Sequence, residues 1–140
     1  MILVVDASVA IQWFLKFRDD EDHCRQALEI LARIGDGRVR MMQPPHFLAE
    51  MGAVLAREKP ADAVSDLTDL TAVEFETAAE PVLYQTACEL AIGLGQHLFD
   101  TLYHAVALHT PDATLVTADK RYFRNARNAG RIALLADFVP

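Results

Sequence analysis

The chain has 140 residues, 52% of them hydrophobic and 24% charged, with a formal net charge of −7. That length predicts one domain, residues 1–140, able to bury about two-thirds of the surface its unfolded chain exposes, and the composition excludes a disordered chain. The acidity excludes nucleic-acid binding by bulk charge, so any such contact has to be local.

The first ten residues, MILVVDASVA, read as a buried strand that stops on Asp6. A carboxylate there needs a partner or an exit from the core, because an unpaired buried charge is costly. In ASVAIQWFLKF, Val9, Trp13 and Phe17 recur at helical spacing. The next helix begins in the acidic run Asp19–Asp22, whose charges face the positive end of its dipole, and ends at Gly35. Ala27, Leu28, Ile30, Leu31 and Ile34 form its apolar face. RVRMMQ is a short strand. Pro44 and Pro45 then open a helix with the stripe Phe47, Met51, Val54 and Leu55, which Pro60 breaks. ADAVSDLTDL is a further short helix and AVEFET a strand-like link. EPVLYQTACELAIGLG is a helix ending at Gly93 and Gly95, and HLFDTLYHAVALHT another, ending before Pro111. ATLVTAD is a strand that again ends on an acid. KRYFRNARNAG is a short helix or turn, and RIALLADF a last strand.

Strands alternate with helices, and the strands are continuous β-branched runs. That pattern predicts a parallel sheet with helices on both faces. Sites in such sheets lie beyond the carboxyl ends of the strands, where Asp6 and Asp119 both fall. No apolar run approaches the ~18 residues of a membrane span, and no basic segment precedes the first apolar run, so neither a membrane helix nor a secretory signal is expected. Cys24 and Cys88 are read as reduced thiols of a cytoplasmic protein.

Two further acids interrupt apolar patterns. Glu50 lies on or beside the stripe of its helix, and Asp100 sits beside Phe99, Leu102, Tyr103 and Val106. If Asp6, Glu50, Asp100 and Asp119 meet, their repulsion raises carboxyl pKa values and destabilises the fold. A hard divalent cation relieves that repulsion. Mg²⁺ or Mn²⁺ takes carboxylate and water oxygens, and can activate a water for phosphodiester cleavage.

The stretches VVDASV, PHFLAEMGAVL, LFDTLYHAVAL and LVTAD resemble the four acidic motifs of PIN-domain proteins, above all the VapC toxins of type II toxin–antitoxin pairs. The resemblance covers nearly the whole chain and keeps the order of the motifs. It implies a three-layer α/β/α domain with a central, mostly parallel sheet. It also implies a Mg²⁺-dependent endoribonuclease that stops translation by cutting RNA and is neutralised by a cognate VapB-type antitoxin. By the same match Asp6, Glu50, Asp100 and Asp119 take the acidic positions, and Ser8 and Thr117 the accessory hydroxyl positions. Asp6 and Asp100 are expected as direct metal ligands, with Glu50 binding directly or through water and Asp119 in the first or second shell.

Local positive charge follows Asp119 directly. Lys120, Arg121, Arg124, Arg127 and Arg131 have no acid among them and are candidates for RNA phosphates, the alternative being a solvated helix face. Tyr122 and Phe123 are candidates for base stacking or for the core. Trp13, Phe14 and Phe17 are read mostly as core, but they crowd the first helix, so part of that surface is a candidate contact for an antitoxin or for a second copy in a homodimer. His104 shares a helical face with Asp100 and is read as structural; His46 and His97 fall near helix starts, His23 and His109 near exposed faces. Three other classes compete with this reading. A haloacid-dehalogenase-type phosphatase wants an Asp where Ser8 stands, and a receiver domain wants adjacent acids after its first strand. A PIN-like binding module without activity is the non-enzymatic alternative.

Overall fold

The computed structural model describes residues 1–15 and 21–140, with the backbone alone at 21–23. The expectations placed on Phe17, on Asp19–Asp22 and on the His23 side chain lie outside the described residues.

Five strands form one sheet: β1 (Ile2–Val5), β2 (Arg40–Gln43), β3 (Glu76–Thr77), β4 (Ala113–Thr117) and β5 (Ile132–Leu134). Their order is β3-β2-β1-β4-β5, and every pairing is parallel. Leu3, Val4 and Val5 are each 0% exposed. Successive strand residues point to opposite faces, so burial of all three means that both faces are covered. Leu115, Val116 and Thr117 repeat the pattern in β4. The result is a three-layer α/β/α arrangement.

The helices are α1 (Ala7–Ala10), α2 (Glu21–Gly35), α3 (Phe47–Glu58), α4 (Ala63–Thr71), α5 (Pro81–Leu94), α6 (Leu98–His109) and α7 (Lys120–Ala126). Helix α6 packs on β1, β2 and β4, and α5 packs on α6. This explains why Thr101 through Ala107 are all buried: α6 is covered by sheet on one side and helix on the other. The threonine hydroxyl in that run, Thr101 Oγ1, is satisfied by donating to Ala87 O at 2.7 Å. Pro81 opens α5, and Gly95 closes it at φ +62°, a conformation that a side chain would strain.

The chain leaves β1 toward β2 and β3 on one side, then returns to place β4 on the other side of β1. The reversal puts a crevice at the carboxyl ends of β1 and β4, where open α/β sheets bind ligands.

Several boundaries differ from the sequence reading. The α-helix after β1 lasts four residues and tightens into a 3-10 turn at Ile11–Trp13. The last strand ends at Leu134 and passes into another 3-10 turn at Leu135–Asp137, and the strand in AVEFET is only Glu76–Thr77. Leu28, expected on the buried face of α2, is 49% exposed, while Ala27, Ile30 and Ile34 are buried. Trp13 is also buried, and its indole N–H donates to Ala27 O at 2.8 Å. It therefore joins the first turn to α2 and is not available to a partner. Phe14 is half-buried against the same core.

Candidate active site at the carboxyl ends of β1 and β4

Asp6 follows the last residue of β1 and is buried, with its backbone N–H on Val116 O at 3.0 Å. Its Oδ2 accepts from Ser8 Oγ at 2.5 Å and Thr117 Oγ1 at 2.8 Å. Each hydroxyl is fixed in turn by a backbone N–H of the turn after β4. Ala118 N–H donates to Ser8 Oγ at 3.0 Å, and Asp119 N–H to Thr117 Oγ1 at 3.1 Å. One carboxylate oxygen thus ties the end of β1 to the end of β4. Asp6 Oδ1 accepts no hydrogen bond among the described residues.

Glu50 comes to this crevice from the first turn of α3. Tyr103 Oη donates to its Oε2 at 3.2 Å, and His46 Nε2 stands 3.0 Å from the same oxygen. His46 Nε2 is also 2.9 Å from Phe99 O. Both neighbours are acceptors, so Nε2 carries the proton. His46 Nδ1 is buried without a partner. Burial, with Glu50 and Asp6 nearby, drives the Tyr103 phenol pKa upward, so the group stays protonated and donates. Asp100, in the first turn of α6, is half-buried. Asp119 is exposed and caps α7, accepting from Tyr122 N–H at 2.9 Å through Oδ1.

The four acids act on one another. Burial pushes the Asp6 carboxyl up to about 6, against the pull of its two hydroxyl bonds, and Asp100 and Glu50 push the same way. Asp100 is raised by burial, then by Glu50 and Asp119. The residues therefore lie in one field of negative charge, although among the described residues no three His, Cys, Asp or Glu side chains are grouped tightly enough to hold an ion by themselves. The hydrogen bonds give a reason. Asp6 Oδ2, Glu50 Oε2 and Asp119 Oδ1 are each drawn to a protein donor, and uncompensated carboxylates repel.

Three residues that hold this arrangement, Gln43, His46 and Tyr103, were given no part in it by the sequence reading. Gln43 is 0% exposed; its Oε1 accepts from Val5 N–H and its Nε2 donates to Val5 O, both at 2.8 Å. Pro44 follows directly, and the Gln43 side chain completes the ladder of β1 beside Asp6. A polar residue ending an apolar strand was the available signal. The role of His46 and Tyr103 toward Glu50 depends on a contact between α3 and α6, for which one sequence carries no signal.

The remaining candidates separate. Lys120, Arg121, Arg124 and Arg127 are exposed and make no ion pair or hydrogen bond among the described residues. Arg131 bonds to Thr110 O and Ala113 O. Tyr122 is buried, so it is not a free stacking surface, and Phe123 is half-buried. His104 is 0% exposed: its Nε2 donates to Gly130 O at 2.8 Å and Tyr122 Oη meets its Nδ1 at 3.0 Å. Burial lowers its pKa, as expected for a neutral, satisfied ring. His109 is exposed and bonds Thr86. Cys24 and Cys88 are free thiols. Among the described residues no helix is long and apolar enough to cross a membrane.

A search of curated proteins found no match. Among solved structures, the chain is similar to a crystal structure of VapBC2 from Rickettsia felis bound to a DNA fragment from their promoter. The identity is 18%, 96% of this chain and 98% of that chain are covered, and the TM-score is 0.65, a likeness of fold. The PIN domain family model matches residues 3–128, a span that includes all four acids and both hydroxyls. The chain belongs to the PIN-domain family.

Proposed function

We propose that the chain is a VapC-like toxin, a cytoplasmic endoribonuclease that depends on a divalent cation, Mg²⁺ or Mn²⁺, and is neutralised by a VapB-type antitoxin. The observation that carries the reading is Asp6, a buried carboxyl held near pKa 6 among other acids at the crevice between β1 and β4. Among the described residues such a group has no positive partner. Oxygen donors alone surround it, which suits a hard dication. Asp6, Glu50, Asp100 and Asp119 would hold the ion, with waters completing its shell. When bound, the ion would acidify a water and stabilise the leaving oxygen of a phosphodiester.

The chain's own groups do the rest. Ser8 and Thr117 hold Asp6 Oδ2 in place and leave Oδ1 free to bind. His46 and Tyr103 fix Glu50 Oε2, so Oε1 is the oxygen open to take a proton from the attacking water. The water oxygen joins phosphorus, the ester P–O bond breaks, and one fragment keeps the phosphate while the other gains a hydroxyl. Lys120, Arg121, Arg124 and Arg127 contact phosphates and position the strand without reading its bases. The VapBC2 likeness supports an antitoxin partner. The exposed Tyr84 and Ile92 of α5 supply apolar surface for the homodimer in this reading.

The test is cleavage of RNA by the purified chain, freed of partners. Cutting that requires Mg²⁺ or Mn²⁺, stops with EDTA and returns on adding metal is the expected result. A second reading, a PIN-like binding module without activity, is favoured by the looseness of the acid group. RNA binding with no cleavage in either metal would select it.

A further inference from the structure

Phe99 was expected in the buried stripe of α6, yet its side chain is 53% exposed, immediately before Asp100. A single exposed apolar residue is ordinary. This one is unusual in how firmly it is held. Its backbone N–H donates to His97 Nδ1 at 3.2 Å, and its carbonyl accepts from His46 Nε2 at 2.9 Å. The same two imidazoles flank its ring, His97 with centroids 5.0 Å apart and His46 at 5.3 Å. His46 is braced edge-on by Tyr103 at 4.9 Å. The result is a pre-ordered aromatic strip, His97–Phe99–His46, ending beside the acids. Phe99 directly precedes Asp100 in the first turn of α6, so the strip and the carboxylate share one neighbourhood.

We propose that Phe99, held between His97 and His46, is a stacking platform for one unpaired nucleobase of the RNA strand whose phosphodiester lies at Asp100. The proposal rests on the nuclease reading above. A strand that brings a phosphate to Asp100 must carry a base past the residue next to it. Stacking on an aromatic face suits any base, so the platform fixes the strand and reads little sequence. The base has to leave its own stack to use the ring, which restricts the substrate to loops and single strands and excludes continuous duplex. Phe99 carries out no chemistry; it binds.

The experiment is single-turnover cleavage of a single-stranded RNA at increasing protein concentration, which separates half-saturation from maximal rate. Phe99→Ala is expected to raise the half-saturating concentration roughly 5- to 150-fold, the range that base–aromatic stacking carries. Phe99→Leu, which keeps apolar bulk without a π face, is expected to behave like Phe99→Ala, and Phe99→Trp like the parent. An RNA with one abasic nucleotide beside the cut should bind the parent as weakly as intact RNA binds Phe99→Ala, and should cost Phe99→Ala nothing more. Parental half-saturation in Phe99→Ala, full binding by Phe99→Leu, or equal abasic losses in both proteins would overturn the platform. So would a Phe99→Ala chain that cuts normally but escapes its antitoxin, which would give the ring to a protein contact. Failure of the parent to cut any RNA is read separately, from the parent alone. It defeats the nuclease reading and removes the platform with it.

Discussion

Two polar groups are buried, His104 in the middle of α6 and Asp6 at the end of β1, and they are solved in opposite ways. His104 is enclosed by Tyr122 and Gly130, has a partner for each ring nitrogen, and is kept neutral by burial. Asp6 is enclosed by Ser8 and Thr117, yet among the described residues one oxygen has no bond and the surrounding acids oppose its ionisation. The first group completes the fold. The second leaves a deficit of positive charge, and only something from outside the described residues can supply it. The difference teaches that burial alone does not mark a site; unbalanced burial does.

The largest effect expected from breaking this contrast is on chemistry. Asp6→Asn or Asp100→Asn should lower RNA cleavage at least about 100-fold, equivalent to roughly 3 kcal/mol of lost transition-state stabilisation, with the far-ultraviolet circular dichroism unchanged. His104→Ala should do the reverse. It strands the Tyr122 hydroxyl and the Gly130 carbonyl and leaves a void, so denaturant titration should show a loss of about 3 kcal/mol. The folded fraction should still respond to metal.

Titration sharpens the same comparison, because the two groups respond to pH with opposite sign. Asp6 has a folded pKa above its unfolded value of 3.8. Its folded form therefore binds more protons between about pH 4 and 6, and stability without metal falls as pH rises through that window. Asp6→Asn should remove that fall and stabilise the metal-free chain at pH 7 by at most about 3 kcal/mol. His104 has a folded pKa below 6.5, so its contribution is present above that pH and is lost as pH falls below it. In EDTA, the Asp6→Asn chain should keep this second slope and, of the opposite fall, only the part that the raised Asp100 carboxyl contributes. Chemical denaturation at several pH values measures both. The smallest effect concerns α7. Arg124→Ala with Arg127→Ala should flatten the slope of log affinity for single-stranded RNA against log salt by roughly 1.4, about 0.7 for each lost phosphate contact. The cut position should stay the same.

The sequence disclosed those parts of the molecule that depend on local pattern. Continuous apolar runs announced β1 and β4, and the carboxylates that end them marked the crevice before any coordinate did. The parallel sheet followed from strand and helix alternation. What depends on contact across the fold was less legible. Phe99 fits the helical stripe of α6 by spacing, but α6 turns that position outward at its first turn. Leu28 fits the stripe of α2 in the same way and is exposed. Spacing left Trp13 between the core and a partner surface, and only its indole on Ala27 O assigns it to the core. Gln43 and Tyr103 gain their meaning only from Val5 and Glu50, partners that periodicity cannot supply. The tightening of the first helix into a 3-10 turn after Ala10 likewise answers to packing on α2 and α3, which helix propensity does not contain.

The central claim is that the acids around Asp6 take a divalent cation, and thermal melting tests it without reference to RNA. The parent chain should melt roughly 3–8 °C higher in excess Mg²⁺ or Mn²⁺ than in EDTA at pH 7, because an ion that binds only the folded crevice stabilises it. Asp6→Asn should lose most of that rise, while His104→Ala should keep it from a lower starting point. A parent chain whose melting temperature is the same with and without either metal would contradict the account.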